Sequence, residues 1–158
     1  MFTELAGRYK DTVFRVALNC LGSPADADDI VQETLLRLLE RSDPFENAAH
    51  AKYWLIRVAL NLCKNLQRSP WRRHAPLEEA ADVPVFDRPE QAELYAEVMA
   101  LPEKYRTALY LFYYEGYSVK EIAEILGIRV TAVTSRLSRA RQKLKFQMTE
   151  PTEGCCNG

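Results

Sequence analysis

The chain has 158 residues, of which 47% are hydrophobic and 27% charged, and its formal net charge is −1 at pH 7. That length allows one domain or two small ones. The apolar stretches are too short and too often broken by charges for a membrane span or a signal peptide, so we expect a cytoplasmic protein with no membrane insertion.

Two helices separated by a glycine are predicted first. Apolar residues recur at helical spacing over residues 2–21, and Gly22 follows as a stop. Ser23 has the features of an N-cap with Pro24 at the first helical position, so a second helix is expected to run to about Arg41. Its predicted apolar stripe comprises Ala27, Ile30, Val31, Leu35, Leu38 and Leu39. Its other face carries Asp28, Asp29, Gln32 and Glu33.

A loop containing Phe45 leads to a third predicted helix, from about Ala49 to Arg68. Basic and amide side chains share one stripe of this helix without any acidic residue: Arg57, Asn61, Lys64, Asn65 and Arg68. Trp54 has apolar neighbours and is predicted to be structural. Cys20 and Cys63 lie on apolar faces and are predicted to be small core residues.

The middle of the chain separates two predicted domains. Residues 70–89 contain four prolines and several acidic residues, which is typical of a flexible linker. Helices are then expected over residues 90–100 and from Pro102 to Gly116. Residues 148–158 show no periodicity and are predicted to be a disordered tail.

Residues 118–143 have the pattern of a helix-turn-helix. Ser118 and Glu121 form a capping box, and Gly127 suits the left-handed position that ends a helix. The outer face of the second helix offers hydroxyls and cations that can reach bases and phosphates in a major groove: Thr134, Ser135, Ser138, Arg139 and Lys143. An antiparallel helix hairpin with a solvated basic face is the simpler alternative.

Charge follows this organisation. Residues 51–76 hold six basic and no acidic residues, and residues 101–147 hold nine basic and four acidic residues. Residues 77–100 between them hold one basic and seven acidic residues. Two basic blocks separated by an acidic one predict two contacts with a polyanion. With no strand-period segment of useful length, the fold is predicted to be all-α, with a three-helix and a four-helix domain.

Three segments together resemble RNA polymerase sigma factors of the extracytoplasmic-function (ECF) type. They are DADDIVQETLLRLLE at 26–40, YWLIRVALNLCKNLQR at 53–68, and the stretch from Leu101 to Leu144. The resemblance implies sigma region 2 at residues 1–69, which docks on core RNA polymerase and opens promoter DNA at the −10 element. It implies sigma region 4 at residues 90–147, which reads the −35 element as a duplex. It also implies an anti-sigma factor as a partner, and neither an active site nor a cofactor.

The resemblance further implies residue roles. Polymerase docking would fall to Asp28, Asp29, Gln32 and Glu33. Strand opening at the −10 element would fall to Phe45, Arg57, Asn61, Lys64, Asn65 and Arg68. Base reading at the −35 element would fall to Thr134, Ser135, Ser138 and Arg139, with Arg129, Arg136, Arg141 and Lys143 on the DNA backbone. Arg129 stands where the family usually has a serine-like cap, and Thr134 replaces what is commonly a long basic residue.

Other functions stay open at this point. A dimeric helix-turn-helix regulator would use the same DNA-binding fold without docking on polymerase, and would recognise palindromic sites. An enzyme is disfavoured because His50 and His74 lie near loops without a suitable carboxylate partner. Cys155 and Cys156 could sense metal or redox state, but no spacing completes a metal site and we expect none.

Overall fold

The computed structural model describes residues 2–68 and 96–144, with only the backbone of Arg68. The described part is helical and contains no strand, which confirms the all-α prediction. Its helices are α1 (Phe2–Leu21), α2 (Pro24–Glu40), α3 (Ala48–Arg68), α4 (Glu103–Leu109), α5 (Val119–Leu126) and α6 (Val130–Lys143), with a π-helical segment at Tyr110–Tyr114 after α4. Residues 96–99 are also helical. The predicted linker and tail lie outside the described residues.

The first domain is a three-helix bundle in which α1 contacts both α2 and α3, and α2 contacts α3. Ser23 caps α2 as predicted, because its hydroxyl accepts a hydrogen bond from the Asp26 amide at 3.3 Å. Cys20 and Cys63 are both buried in the core between the helices, which confirms their prediction as core residues. Contact with the Cys63 thiol, followed by burial, raises the pKa of Cys20 far above its usual range.

The predicted apolar stripe of α2 was wrong at Leu39, which is 59% exposed. The buried side of α2 includes Thr34, which was not in the predicted stripe, as well as Leu38. These two residues lie on one face because they are four residues apart. Leu39 is one further step of about 100° around the helix, which carries it out of the core. Thr34 is fully buried, and its hydroxyl has no hydrogen-bond partner among the described residues.

The second domain contains the predicted helix-turn-helix, α5 and α6. The Ser118 hydroxyl accepts from the Glu121 amide at 3.1 Å, and the Glu121 carboxylate accepts from the Ser118 amide at 2.9 Å. Gly127 has a φ of 69°, in the left-handed region, and ends α5. Both the capping box and the glycine stop are confirmed. Arg129 at the start of α6 makes no side-chain cap, as its residue type implied.

The helix predicted from Pro102 to Gly116 is divided. It is α-helical only to Leu109 and then widens to the π-helical segment, where the Glu115 amide donates to the Tyr110 carbonyl at 3.1 Å. The wider turn allows the Tyr110 hydroxyl to donate to the Glu115 carboxylate at 2.7 Å. Periodicity of apolar residues cannot distinguish such a short segment from a continuous α-helix.

The two domains pack directly against each other through the end of α1. The Arg106 side chain, on α4, is buried and donates hydrogen bonds to the carbonyls of Asn19 and Cys20, the latter at 2.9 Å. A third bond reaches the Leu101 carbonyl at 2.8 Å. The last four carbonyls of an α-helix have no partner within the helix. Arg106 therefore serves as a C-terminal cap for α1 that is supplied by the other domain.

A second, more exposed contact joins α3 to the helix-turn-helix domain. The Lys52 ammonium lies 2.9 Å from the Glu115 carboxylate, and the Tyr53 hydroxyl donates to the Glu124 carboxylate at 2.7 Å. Burial and the bond to Glu124 raise the pKa of Tyr53 to about 12. The described contacts between the domains are thus rich in hydrogen bonds and charge.

Candidate nucleic-acid and polymerase interfaces

Helix α6 presents the predicted base-reading residues to solvent. Thr134, Ser135, Ser138 and Arg139 are all exposed. The opposite side of the helix is anchored by Val133, Leu137 and Ala140, each at most 2% exposed. A helix held this way projects one polar face outward and can enter a major groove about 12 Å wide.

The hydroxyl of Thr134 has a defined orientation. It donates a hydrogen bond to the Thr131 carbonyl at 3.0 Å and lies 3.4 Å from the Val130 carbonyl. Its hydrogen is therefore occupied within the helix, and its oxygen remains available as an acceptor. In a major groove, such an oxygen suits the amino groups of adenine or cytosine.

The residues predicted to contact the DNA backbone differ in their surroundings. Arg129 and Lys143 are exposed, whereas Arg136 and Arg141 are half-buried. Arg141 donates to the Tyr113 hydroxyl at 2.9 Å, so it is held within its own domain. Arg129 and Lys143 are therefore better placed for a phosphate than Arg141.

The amide and basic stripe of α3 faces solvent as predicted. Arg57, Asn61, Lys64 and Asn65 are exposed, while Leu55 and Ala59 on the inner face are at most 1% exposed. In the part of the chain that the structure describes, none of the stripe's cations is paired with a carboxylate. The side chain of Arg68 lies outside the described residues.

Phe45 belongs to an aromatic and cationic cluster that the sequence did not predict. The Arg41 guanidinium lies 4.2 Å from the centroid of the Phe45 ring and 5.1 Å from that of Trp54. The His50 ring meets Phe45 edge-on at 5.2 Å, and its Nδ1 accepts from the Glu46 amide. Trp54 is half-buried, so it is both a packing residue and part of this surface. The sequence does place Trp54 four residues, or about one helical turn, after His50, and this spacing could have indicated that Trp54 belongs to the cluster.

The acidic face of α2 is also exposed, including Asp28, Asp29, Gln32 and Glu33. Glu33 forms a surface ion pair with Arg37 at 3.5 Å. Leu36 and Leu39 lie beside these acids and are 52% and 59% exposed. Large apolar side chains exposed next to charges are a common feature of protein-binding surfaces. Leu39 was missed because it was assigned to the apolar stripe, and Leu36 was assigned to neither face of the helix.

Other kinds of site find little support in the described residues. Among them, no group of three His, Cys, Asp or Glu side chains is arranged to hold a metal ion. The described helices include none that is long and apolar enough to cross a membrane. His74, Cys155 and Cys156 lie outside the described residues, so neither the expectation that the two cysteines bind no metal nor the sensor alternative is tested.

Comparison with known proteins gives matches over both domains. The family model "Sigma-70 region 2" matches residues 5–73, and "Sigma-70, region 4" matches residues 91–144. The ECF RNA polymerase sigma factor SigE of Mycolicibacterium smegmatis is 33% identical over 153 residues, covering 90% of this chain. This chain spans only 59% of that relative. The ECF RNA polymerase sigma factor SigL of Mycobacterium tuberculosis is 32% identical over 159 residues, covering 95% of this chain and 90% of the relative.

Solved structures with the same fold were also found. CnrH, solved in complex with the cytosolic domain of CnrY, is 30% identical, with a TM-score of 0.59 over 92% of this chain and 85% of that one. The sigma factor RpoE of Bartonella quintana, solved with the anti-sigma factor NepR, is 23% identical. Its TM-score is 0.76 over 96% of this chain and 98% of that one, which supports the fold.

Proposed function

Because this chain belongs to the ECF family of RNA polymerase sigma factors, we propose that it directs core RNA polymerase to promoters and assists DNA opening in transcription initiation. It acts in the cytoplasm as a dissociable specificity subunit, and nucleotide addition is carried out by the polymerase. The observation that carries the proposal is the pair of separate exposed faces, one on α3 and one on α6, each basic and each backed by a buried apolar side.

The face on α6 is proposed to read duplex DNA at the −35 element. Arg139 supplies a bidentate donor suited to guanine, and Thr134 supplies an acceptor. Ser135 and Ser138 are short enough to let the helix approach the base edges. Phosphate contacts from Arg129 and Lys143 fix the register of the helix but do not select sequence.

The face on α3, together with the cluster around Phe45, is proposed to hold the separated strand at the −10 element. Taking a base out of a duplex costs a few kcal/mol, and stacking on an aromatic ring recovers roughly 1–3 kcal/mol per base. Phe45 and Trp54 offer such rings, and Arg41 above them offers a guanidinium plane. Arg57 and Lys64 supply cations for the backbone, while Asn61 and Asn65 can hydrogen-bond to an unpaired base.

The exposed face of α2 is proposed to dock on core polymerase through Asp28, Asp29, Gln32 and Glu33. Leu36 and Leu39 add the apolar area that acids alone would not supply, since surface charges contribute little to affinity. We also propose that an anti-sigma protein holds this chain inactive. CnrH, of the same fold and 30% identical, was solved with a protein partner, the cytosolic domain of CnrY.

The deciding experiment is run-off transcription on a pool of genomic fragments, using purified bacterial core polymerase with and without this chain. Sequencing of the transcript 5′ ends should reveal start sites that depend on the chain and share two upstream elements. Core alone and core plus chain giving the same start sites would refute the proposal.

A variant pair tests the docking face. Asp29→Arg should lower affinity for core polymerase by about tenfold or more, because it places a cation where an acid meets its partner. Asp11→Arg makes the same charge change at an exposed position of α1 and should bind core as the unchanged chain does. Equal affinity of the two variants would refute this docking face.

A further inference from the structure

A cluster of cations surrounds one tyrosine on the flank of α6. Lys104 and Tyr105 come from α4, and Arg139 and Lys143 come from α6, where they are four residues apart and share one side of the helix. The Lys104 ammonium lies 5.3 Å from the centroid of the Tyr105 ring, and the Lys143 ammonium lies 5.8 Å from it. Packing of α4 against α6 therefore brings three cations to one tyrosine.

The tyrosine has a buried ring and an exposed hydroxyl. Tyr105 is 9% exposed as a whole, while its hydroxyl end reaches the surface beside Arg139. The hydrogen bond from Arg139 lowers the pKa of the Tyr105 hydroxyl, and the charges of Lys104 and Lys143 act in the same direction. The surroundings of this hydroxyl thus favour negative charge.

No carboxylate neutralises the cluster in the described part of the chain, where neither ion pair involves Lys104, Arg139 or Lys143. The neighbouring acid, Glu103, is turned away from it. Its carboxylate accepts hydrogen bonds from the Thr107 hydroxyl at 2.9 Å and from the Cys20 thiol at 3.3 Å, in the contact with the first domain. The cluster is therefore a positive surface, on which Lys104, Arg139 and Lys143 are all exposed.

Its place beside the reading helix identifies the anion it would meet. An α-helix with its side chains is about 10–12 Å across and nearly fills a major groove about 12 Å wide. Side chains on the flanks of such a helix consequently face the phosphates that line the groove. Lys143 lies on that flank, one turn after the base-reading Arg139, and Lys104 and Tyr105 extend the flank onto α4.

We propose that Lys104 and Tyr105 are additional DNA contacts, which form with Lys143 a phosphate-binding edge beside the reading helix. This inference rests on the proposed function and adds α4 to the surface that holds duplex DNA. Lys104 and Lys143 supply charge to the phosphate, and the Tyr105 hydroxyl donates a hydrogen bond to it. Because these contacts involve only the backbone, they strengthen binding to any sequence.

The test is fluorescence anisotropy of the full chain with a labelled 20-base-pair duplex of mixed sequence, titrated between 50 and 200 mM KCl. Lys104→Gln should make the negative slope of log K, where K is the association constant, against log salt concentration shallower by about 0.9. The ratio of the unchanged chain's affinity to that of Lys104→Gln should therefore fall by about 3.5-fold between 50 and 200 mM KCl. Tyr105→Phe, which keeps the ring, should weaken binding by about threefold to tenfold with an unchanged slope.

Two controls separate the possible failures. Lys10→Gln removes an exposed lysine of α1 and should change neither affinity nor slope. If Arg139→Ala weakens binding while Lys104→Gln does not, the edge is refuted and the reading helix stands, with Tyr105 only positioning Arg139. If the unchanged chain shows no salt-dependent binding to the duplex, the proposed function fails together with the edge.

Discussion

Arg106→Met tests how strongly the two domains hold each other. The substitution keeps an apolar stem of similar length but removes the guanidinium that caps α1. A hydrogen bond from a charged donor contributes about 1.5–3 kcal/mol, and burying the guanidinium offsets part of the gain from the two interdomain bonds. We therefore expect the packed arrangement to lose about 3 kcal/mol, a shift of about a hundredfold in the equilibrium between packed and separated domains.

Small-angle scattering should detect this shift as a larger radius of gyration than that of the unchanged chain. Hydrogen exchange should become faster at the end of α1, where the Gly22 amide donates to the Leu18 carbonyl. Circular dichroism should show the same helix content, because the lost side-chain bonds are not backbone hydrogen bonds within any helix. Arg8→Met removes an exposed arginine of α1 and should leave all three measurements unchanged. An unchanged radius and unchanged exchange in Arg106→Met would show that the apolar contacts alone hold the domains together.

Three further predictions follow from single side chains. Thr34→Val should raise the free energy of unfolding by about 1 kcal/mol in urea titrations, because it removes a buried hydroxyl that has no partner among the described residues. Thr3→Val, at an exposed position, should leave the free energy of unfolding unchanged. A loss of stability in Thr34→Val would mean that the hydroxyl has a hydrogen-bond partner. Arg139→Ala should weaken binding to the −35 element by about 1–3 kcal/mol in competition assays and relax base preference there, and an equal loss on every sequence would exclude base reading. Lys64→Gln should make the negative slope of log K against log salt concentration shallower by about 0.7 for binding to a single strand of mixed sequence. An unchanged slope would show that Lys64 does not contact the strand.

Local signals gave the features that depend on a few neighbouring residues. The capping box at Ser118, the glycine stop at Gly127 and the proline-started α2 each follow from the chemistry of adjacent backbone groups. The exposure of Asn61 and Arg139 also followed, because the helical periodicity of their apolar neighbours decides which side faces solvent. Their roles in binding DNA came from resemblance to a family and stay predictions.

Features that depend on contact between distant residues could not be predicted. Arginine is usually found at the surface, and Arg106 is buried because α1 packs against it. The cluster of Arg41 with Phe45 and Trp54 depends on the path of a loop. Leu39 was assigned to the core because the sequence alone does not show whether another element packs against that part of α2.

The packing of the domains has a consequence for promoter binding. Elements named −35 and −10 lie about 25 base pairs apart, which is about 85 Å along the duplex at 3.4 Å per pair. The 116 described residues, 67 in 2–68 and 49 in 96–144, have a radius of gyration of only about 13 Å when packed as one body. The proposed binding to both elements at once therefore requires that the domains separate from the arrangement described here.

The polar part of the described interface suits such a separation. It consists of hydrogen bonds and an ion pair, those of Arg106, Tyr53 and Lys52, which lie beside an apolar core that the two domains share. Water can replace polar contacts at a modest net cost, whereas exposing apolar surface costs about 25 cal/mol per Å². Arg106→Met should then make the chain bind core polymerase faster, because less free energy is needed to open it. A slower association than that of Arg8→Met would mean that the packed form itself binds polymerase.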